Sequence, residues 1–309
     1  MKVMFIDMSE IEKQCRPFLE NLNIQSYCWN DKGSDSIPLS EIDVIVGFPK
    51  KDHFNPSVMT NLKMIQLPSA GYDKFPVDQI RKMNVILCNA SGVYSIPIAE
   101  WVIAKILEII KHSRYYYNNQ SQGIWKKNYS MLELPGKKAL IFGTGSIGQE
   151  IARRLKAFDV IVDGENSNGR EIQHFEQCFN IEKGKEVSGE YEILIFSLPN
   201  NEETAGLVNL MFLKQLKDNA IIINVGRGTL INEPDLILTL NQGKLLGVAL
   251  DVTEVEPLPV TSELWKHPKV IISPHSSFIS EKINDRRVEL ITSNILAFYH
   301  NSAVKNRII

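Results

Sequence analysis

Apolar residues in this chain gather in short runs separated by polar or amphipathic stretches. In the first part the runs fall at residues 2–7, 43–47, 63–67 and 85–88, with a helical or loop segment at 10–22 after the first. Alternation of this kind predicts an α/β layer built on a parallel sheet. Residues 30–38, rich in Asp, Gly and Ser, read as a loop.

From Ser95 the pattern changes to a helical period. Ser95 is placed to cap, Pro97 sits in the first turn, and Ile98, Val102, Ile106 and Ile109 recur on one stripe. Trp101, Ile103 and Ile110 fall outside that stripe, which predicts burial on several sides, against a second domain or a second subunit. A second series follows at 138–142, 160–162, 193–196, 220–224, 247–251 and 270–272. These runs are continuously apolar, as expected of strands covered by helices on both faces, and six of them suit a doubly wound dinucleotide domain. A last helix, about 281–299, is expected to lead away from that domain and back onto the first.

Composition narrows the function. A length of 309 residues with 44% hydrophobic content is enough for two packed cores. A formal charge of -2, from 34 basic and 36 acidic residues, leaves no electrostatic footprint for nucleic acid or a membrane surface, so small-molecule chemistry is expected. Cys15, Cys28, Cys88 and Cys178 form no CxxC pair, which points to reduced thiols and to no metal site. The apolar run at the N-terminus is too short for a signal peptide and no stretch approaches a membrane span. The expectation is a soluble, cytoplasmic protein.

Candidate chemistry starts at Gly143-Thr144-Gly145-Ser146-Ile147-Gly148, between an apolar run and a helical pattern. Gly143 permits a tight turn, Gly145 lets the backbone approach a pyrophosphate, and Gly148 allows close helix-on-strand packing, which is the signature of NAD or NADP binding. The ribose position about 20 residues on falls nearest Asn166, with Arg170 beyond it; Glu165 takes the NAD-specific role if the register shifts by one. Asn and Ser hydrogen-bond a 2′-phosphate, so NADP stays open. Arg227, in a Gly-Arg-Gly loop after a strong strand, is placed to grip a carboxylate. Glu256 lies in an acidic turn before Pro257, and His275 stands at a strand end between Pro274 and Ser276. His53, His112, His174, His267 and His300 read as surface residues, as does the Lys50–Lys51 pair.

With these stretches in view, the chain resembles the D-isomer-specific 2-hydroxyacid dehydrogenases, in particular their glyoxylate and hydroxypyruvate reductase-like branch. The segments carrying the resemblance are 67–73, 89–94, Ala99-Glu100, the glycine turn, 224–228, 249–257 and 273–276. The resemblance implies two Rossmann-like domains: a flavodoxin-like substrate domain over 1–94 plus 282–309, and a doubly wound NAD(P)-binding domain over 95–281. It implies a catalytic trio of Arg227, Glu256 and His275, with a substrate carboxylate on the backbone of Ser69, Ala70 and Gly71 and on Arg227. It also implies dinucleotide contacts from Gly143, Gly145, Ser146, Ile147, Gly148, Asn166, Leu198, Pro199, Val225, Gly226, Arg227, Asp251 and His275, with Asp251 near the nicotinamide carboxamide. Tyr72, Tyr94 and Phe48 are expected to shape the pocket, hinges to lie near 92–97 and 277–281, and the helix after Ser95 to contribute to a homodimer. Two alternatives stay open: a short-form D-3-phosphoglycerate dehydrogenase, which the end of the sequence at Ile309 does not exclude, and a non-catalytic nucleotide-sensing module. Formate dehydrogenase fits less well, because there the resemblance implies Gln at the position of Glu256.

Overall fold

The computed structural model describes residues 1–29, 39–49, 57–73 and 75–309. The 30–38 loop, the Lys50–Lys51 pair and His53 lie outside the described residues. The chain divides into two compact units, Met1–Tyr94 with Ser280–Ile309, and Ser95–Ile279.

The first unit holds β1 (Lys2–Ile6), α1 (Ser9–Asn21), β2 (Gln25–Trp29), β3 (Val44–Val46), β4 (Met64–Gln66), α2 (Val77–Lys82) and β5 (Ile86–Cys88). The strands pair in parallel in the order β2-β1-β3-β4-β5, the flavodoxin-like arrangement. Ile11, Cys15 and Leu19, four residues apart on α1, bury against Val3, Phe5 and Val46 of the sheet. The strand β2 had no apolar run to announce it. It is an edge strand whose residues are exposed or half-buried, so Gln25 and Ser26 are tolerated there. The last helix, α9 (Ile283–Tyr299), packs on α1 and contributes Ile291 and Ile295 to the same core.

The second unit opens with α3 (Ser95–Ile110) and the polar α4 (Ser113–Ser121). Its strands are β6 (Lys138–Phe142), β7 (Ile161–Glu165), β8 (Cys178–Phe179), β9 (Ile193–Phe196), β10 (Ala220–Asn224), β11 (Leu245–Leu250) and β12 (Val270–Ile272). Helices α5 (Ser146–Lys156), α6 (Ile181–Val187), α7 (Leu210–Gln215) and α8 (Glu233–Asn241) connect them. All strands are parallel, in the order β12-β11-β10-β9-β6-β7-β8. The seventh strand, two residues long at the sheet edge, carries no readable pattern of its own.

One expectation about α3 changes. Ser95 is the first helical residue rather than a cap, and its hydroxyl is buried without a hydrogen-bond partner. Of the extra apolar side chains, Ile103 and Ile110 are buried, where the helix packs on α5, β10 and β11, and Trp101 is half-exposed. The approach to the sheet is close enough that a Cβ on Gly247 would stand 2.7 Å from Ile109 Cγ2. Across the same sheet Phe142 and Phe196 stack at 4.8 Å, with Phe212 edge-on to both. Among the described residues no helix is long and apolar enough to cross a membrane, the four cysteines are unpaired, and no group of three His, Cys, Asp or Glu side chains could hold a metal ion.

Candidate active site

Chain winding reverses between β6 and β9, which are neighbours in the sheet, so a crevice is expected at their C-terminal ends. The loops after β6, β9 and β10 pack together there. A Cβ on Gly143, whose φ is +102°, would lie 2.9 Å from Ser197 Oγ, and one on Gly226 would lie 2.6 Å from Leu198 O. Substituting Gly148 would bring a Cβ within 2.0 Å of Gly143 O, whereas a Cβ on Gly145 would meet nothing within 4 Å. Two glycines therefore close the turn and the third leaves open space at the N-terminus of α5, where Ser146 and Ile147 begin the helix. That cradle fits a dinucleotide pyrophosphate.

At the end of β7 the sequence expectation needs correction. Asn166 is 6% exposed, and its amide is spent on its own loop: Nδ2 donates to Arg170 O at 2.9 Å, and Oδ1 accepts from Arg170 N at 3.1 Å. It braces the turn with its Oδ1 and one of its two Nδ2 hydrogens. Glu165 is turned inward as well, 2% exposed, with Oε2 buried and unpartnered. Burial pushes its carboxyl up to about 7, against lowering by a Gly143 backbone hydrogen bond and Lys185, with Glu203 raising it further. Asp163 is also internal, accepting from Tyr191 Oη at 2.7 Å and from Gln177 N at 3.0 Å. Neither acidic side chain of this strand faces outward.

Arg227, Glu256 and His275 come from the loops after three adjacent strands, β10, β11 and β12. The buried Asn224 ends β10 and holds the first loop at two points, accepting from Gly226 N at 3.0 Å and donating to Arg227 O at 2.9 Å. Arg227 Nη1 bonds Gly226 O at 2.8 Å, and Val225 N bonds Phe196 O at 3.0 Å. Only glycine fits at 228, where a Cβ would sit 1.9 Å from Thr253 O. His275 Nδ1 lies 2.9 Å from Glu256 Oε2, with both side chains nearly half exposed. A carboxylate can only accept, so Nδ1 carries the hydrogen and Nε2 is the free ring nitrogen.

His275 has a φ of +49°, an uncommon backbone state for a side-chain-bearing residue. Its N–H is held by Asp251 O at 2.8 Å and Ser273 O at 3.0 Å. The Asp251 carboxylate completes the clamp, accepting from Ser276 N at 2.9 Å, Ser277 N at 3.0 Å and the hydroxyls of Ser273 and Ser277. Three of these donors meet Oδ1 and only the Ser277 hydroxyl meets Oδ2, so the Asp251 side chain braces the histidine turn while Oδ2 keeps room for a further donor. The bracing by Asn224, Ser273 and Ser277 was missed in the sequence. The only signal was the position of Asn224 and Ser273 inside the motifs, with Ser277 directly after one of them.

In the first unit, Ser69, Ala70 and Gly71 form a half-buried turn after β4. Their N–H groups donate to no acceptor among the described residues. Tyr72 and Phe48 are exposed, but Tyr94 is buried at 7% with its hydroxyl bonded to Pro68 O, so it supports this turn instead of lining open space. Among the other histidines, His267 is half-buried, its Nδ1 accepting from Lys269 N at 3.2 Å, and desolvation lowers its pKa.

Comparison with known proteins identifies the family. A family model described as the NAD binding domain of D-isomer specific 2-hydroxyacid dehydrogenases matches residues 103–277. An uncharacterized protein encoded in the proB 3′ region of Corynebacterium melassecola is 33% identical over 246 residues, 79% of this chain and 81% of that one. A hydroxypyruvate reductase of Blautia hydrogenotrophica is 28% identical over 251 residues, 79% of this chain and 78% of its own. Among solved structures, a D-isomer specific 2-hydroxyacid dehydrogenase family protein from Aeromonas salmonicida superposes with a TM-score of 0.83 at 27% identity, covering 100% of this chain and 98% of that one. The chain belongs to the D-isomer-specific 2-hydroxyacid dehydrogenase family, NAD(P)-dependent oxidoreductases that act on the CH–OH group of 2-hydroxy acids.

Proposed function

We propose that the protein reduces a small 2-keto acid, of the size of glyoxylate or hydroxypyruvate, to the D-2-hydroxy acid. The observation that carries this reading is the 2.9 Å contact from His275 Nδ1 to Glu256, because it leaves Nε2 as the atom that gives or takes a proton. Bound NAD(P)H supplies the hydride for the keto carbon. His275 gives its Nε2 proton to the carbonyl oxygen, so the C=O becomes a CH–OH and the imidazolium becomes imidazole. Glu256 holds the ring and balances its charge while it is protonated. Arg227 grips the substrate carboxylate and keto oxygen and stabilises the developing alkoxide. In the first unit, Ser69, Ala70 and Gly71 offer their N–H groups to a substrate carboxylate, which makes that unit the substrate-binding domain. The second unit holds the dinucleotide, with the pyrophosphate on the N–H groups of Ser146 and Ile147. Similarity to the Blautia hydroxypyruvate reductase supports the substrate size.

With Asp163 and Glu165 both turned inward, no carboxylate at the end of β7 repels a 2′-phosphate, which favours use of NADPH as well as NADH. The working unit in this reading is a homodimer. Between α4 and β6, Trp125 is fully exposed, Tyr129 is 87% exposed, and Ile124 and Met131 are exposed beside them, a surface suited to a second copy. Light scattering should give the mass of two chains for the wild type and a lower value for Trp125→Ser. A wild-type monomer would remove the dimer from the reading.

The deciding assay follows the reduced-nicotinamide absorbance with NADH and NADPH in parallel against glyoxylate, hydroxypyruvate, pyruvate and longer 2-keto acids. Oxidation with a small 2-keto acid is expected. Silence across the panel with cofactor bound overturns the reading in favour of nucleotide sensing.

A further inference from the structure

The turn from Pro68 to Gly71 has an unusual property: four consecutive carbonyl oxygens are all occupied. Pro68 O accepts from Tyr94 Oη, Ser69 O from Ala90 N at 2.8 Å, Ala70 O from Asn89 Nδ2 at 2.7 Å, and Gly71 O from Ser69 Oγ. In a planar trans peptide the C=O of one residue and the N–H of the next point in opposite directions. Pinning the carbonyls of Pro68, Ser69 and Ala70 therefore fixes the aim of the N–H groups of Ser69, Ala70 and Gly71. These are the three donors without an acceptor among the described residues.

The pinning groups are themselves held, and both lines of support lead to one helix. Arg287 Nε donates to Tyr94 Oη at 3.0 Å, with its guanidinium 5.5 Å from the centre of the Tyr94 ring. Asn294 Nδ2 donates to Gln66 Oε1 at 2.6 Å, and Gln66 Nε2 donates to Asn89 O at 3.0 Å. The Asn89 side chain is further fixed by Ser91 N at 3.1 Å, and Asn294 Oδ1 accepts from Lys305 N at 2.7 Å. Gln66 and Asn294 are 1% and 0% exposed. Arg287 and Asn294 are seven residues apart on α9, two turns along one face, so a single helix grips the turn through both relays.

We propose that Tyr94 and Asn89 are positioning residues for substrate-carboxylate binding, and that Arg287 and Asn294 on α9 set their aim. The proposal rests on the reading that Ser69, Ala70 and Gly71 bind the carboxylate. A donor array that has lost its aim binds the substrate less well in ground state and transition state alike, so the effect should fall on KM.

The test uses the full-length enzyme with a 2-keto acid that it reduces. Tyr94→Phe, which removes only the hydroxyl, is expected to raise KM for the keto acid about tenfold with kcat within about twofold. The dissociation constant for NAD(P)H should stay at the wild-type value. Arg287→Met should raise KM alone but add nothing in a Tyr94→Phe background, because it acts through the tyrosine hydroxyl. Arg287→Lys, which keeps the charge, should recover part of the loss. Ala70→Pro, which deletes one N–H of the array, tests the underlying reading. If it leaves KM unchanged while the protein melts as wild type, the turn does not bind substrate. If Ala70→Pro raises KM while Tyr94→Phe and Asn89→Ala do not, the turn binds substrate and the positioning proposal is wrong. Additive effects of Arg287→Met and Tyr94→Phe would likewise overturn the relay.

Discussion

The trio loops of the second unit and the Ser69–Gly71 turn of the first are aimed by different means. Arg227, Glu256 and His275 follow neighbouring parallel strands, so sheet register sets their positions and local bonds from Asn224 and Asp251 complete them. The Ser69–Gly71 turn is aimed by side chains far along the chain, with Asn294 228 residues from Gln66 and Arg287 193 residues from Tyr94. In the proposed function, the locally built trio is expected to tolerate changes elsewhere, and the turn built at long range is expected to respond to changes on α9.

The sharpest way to break the comparison is at the proton donor. His275→Asn should lower kcat by about 10²–10⁴ with cofactor affinity kept, and a wild-type kcat would remove His275 from the chemistry. Arg227→Lys should lower kcat/KM by roughly 10²-fold, since a point charge cannot replace a planar fork. A loss under about threefold would show that charge alone suffices at this position. Asp251→Asn puts an amide among four donors that need an acceptor. About a tenfold fall in kcat and a loss of about 1–3 kcal/mol in stability are expected, measured by steady-state kinetics and denaturant unfolding. If only stability falls, the clamp is not what holds the histidine in place.

The smallest effect on activity, and the clearest on pH, belongs to Glu165. Its folded-state carboxyl is raised to about 7 by burial, above the ordinary value that it regains on unfolding. Between those two values the unfolded chain has released a proton that the folded protein keeps, so stability falls as pH rises and levels off above about 7. The loss amounts to about 3 kcal/mol. Glu165→Gln removes this term, so thermal melting should become flatter between about pH 5 and about pH 8, with the variant ahead of wild type at the upper end. Parallel melting curves for the two proteins would place the charge elsewhere.

Much of this was legible in the chain. The six apolar runs of the second unit became six of its seven strands because covered parallel strands favour apolar residues, with Asp163, Glu165 and Asn224 as buried polar exceptions. The half-exposed edge strand Gln25–Trp29, the two-residue strand at Cys178 and the helix Ser113–Ser121, which buries no residue, lacked that constraint and left no pattern. At the site, glycine spacing and the Arg, Glu and His motifs were readable because each needs a particular residue type at a strand end. Spacing placed Asn166 at a ribose, but its bonds back to Arg170 had no signal in the sequence.

The two α/β layers and the glycine turn were written in the chain, because hydrophobic periodicity and short-range backbone geometry are local properties. Packing between distant segments set Glu165 facing the interior, Asp251 bracing the His275 turn, and Tyr94 supporting the Pro68 carbonyl. The bonds of Asp251 and of the Tyr94 hydroxyl to Pro68 O join residues 22 to 26 apart in the chain, and Glu165 is enclosed by packing, so none of these follows from the local sequence.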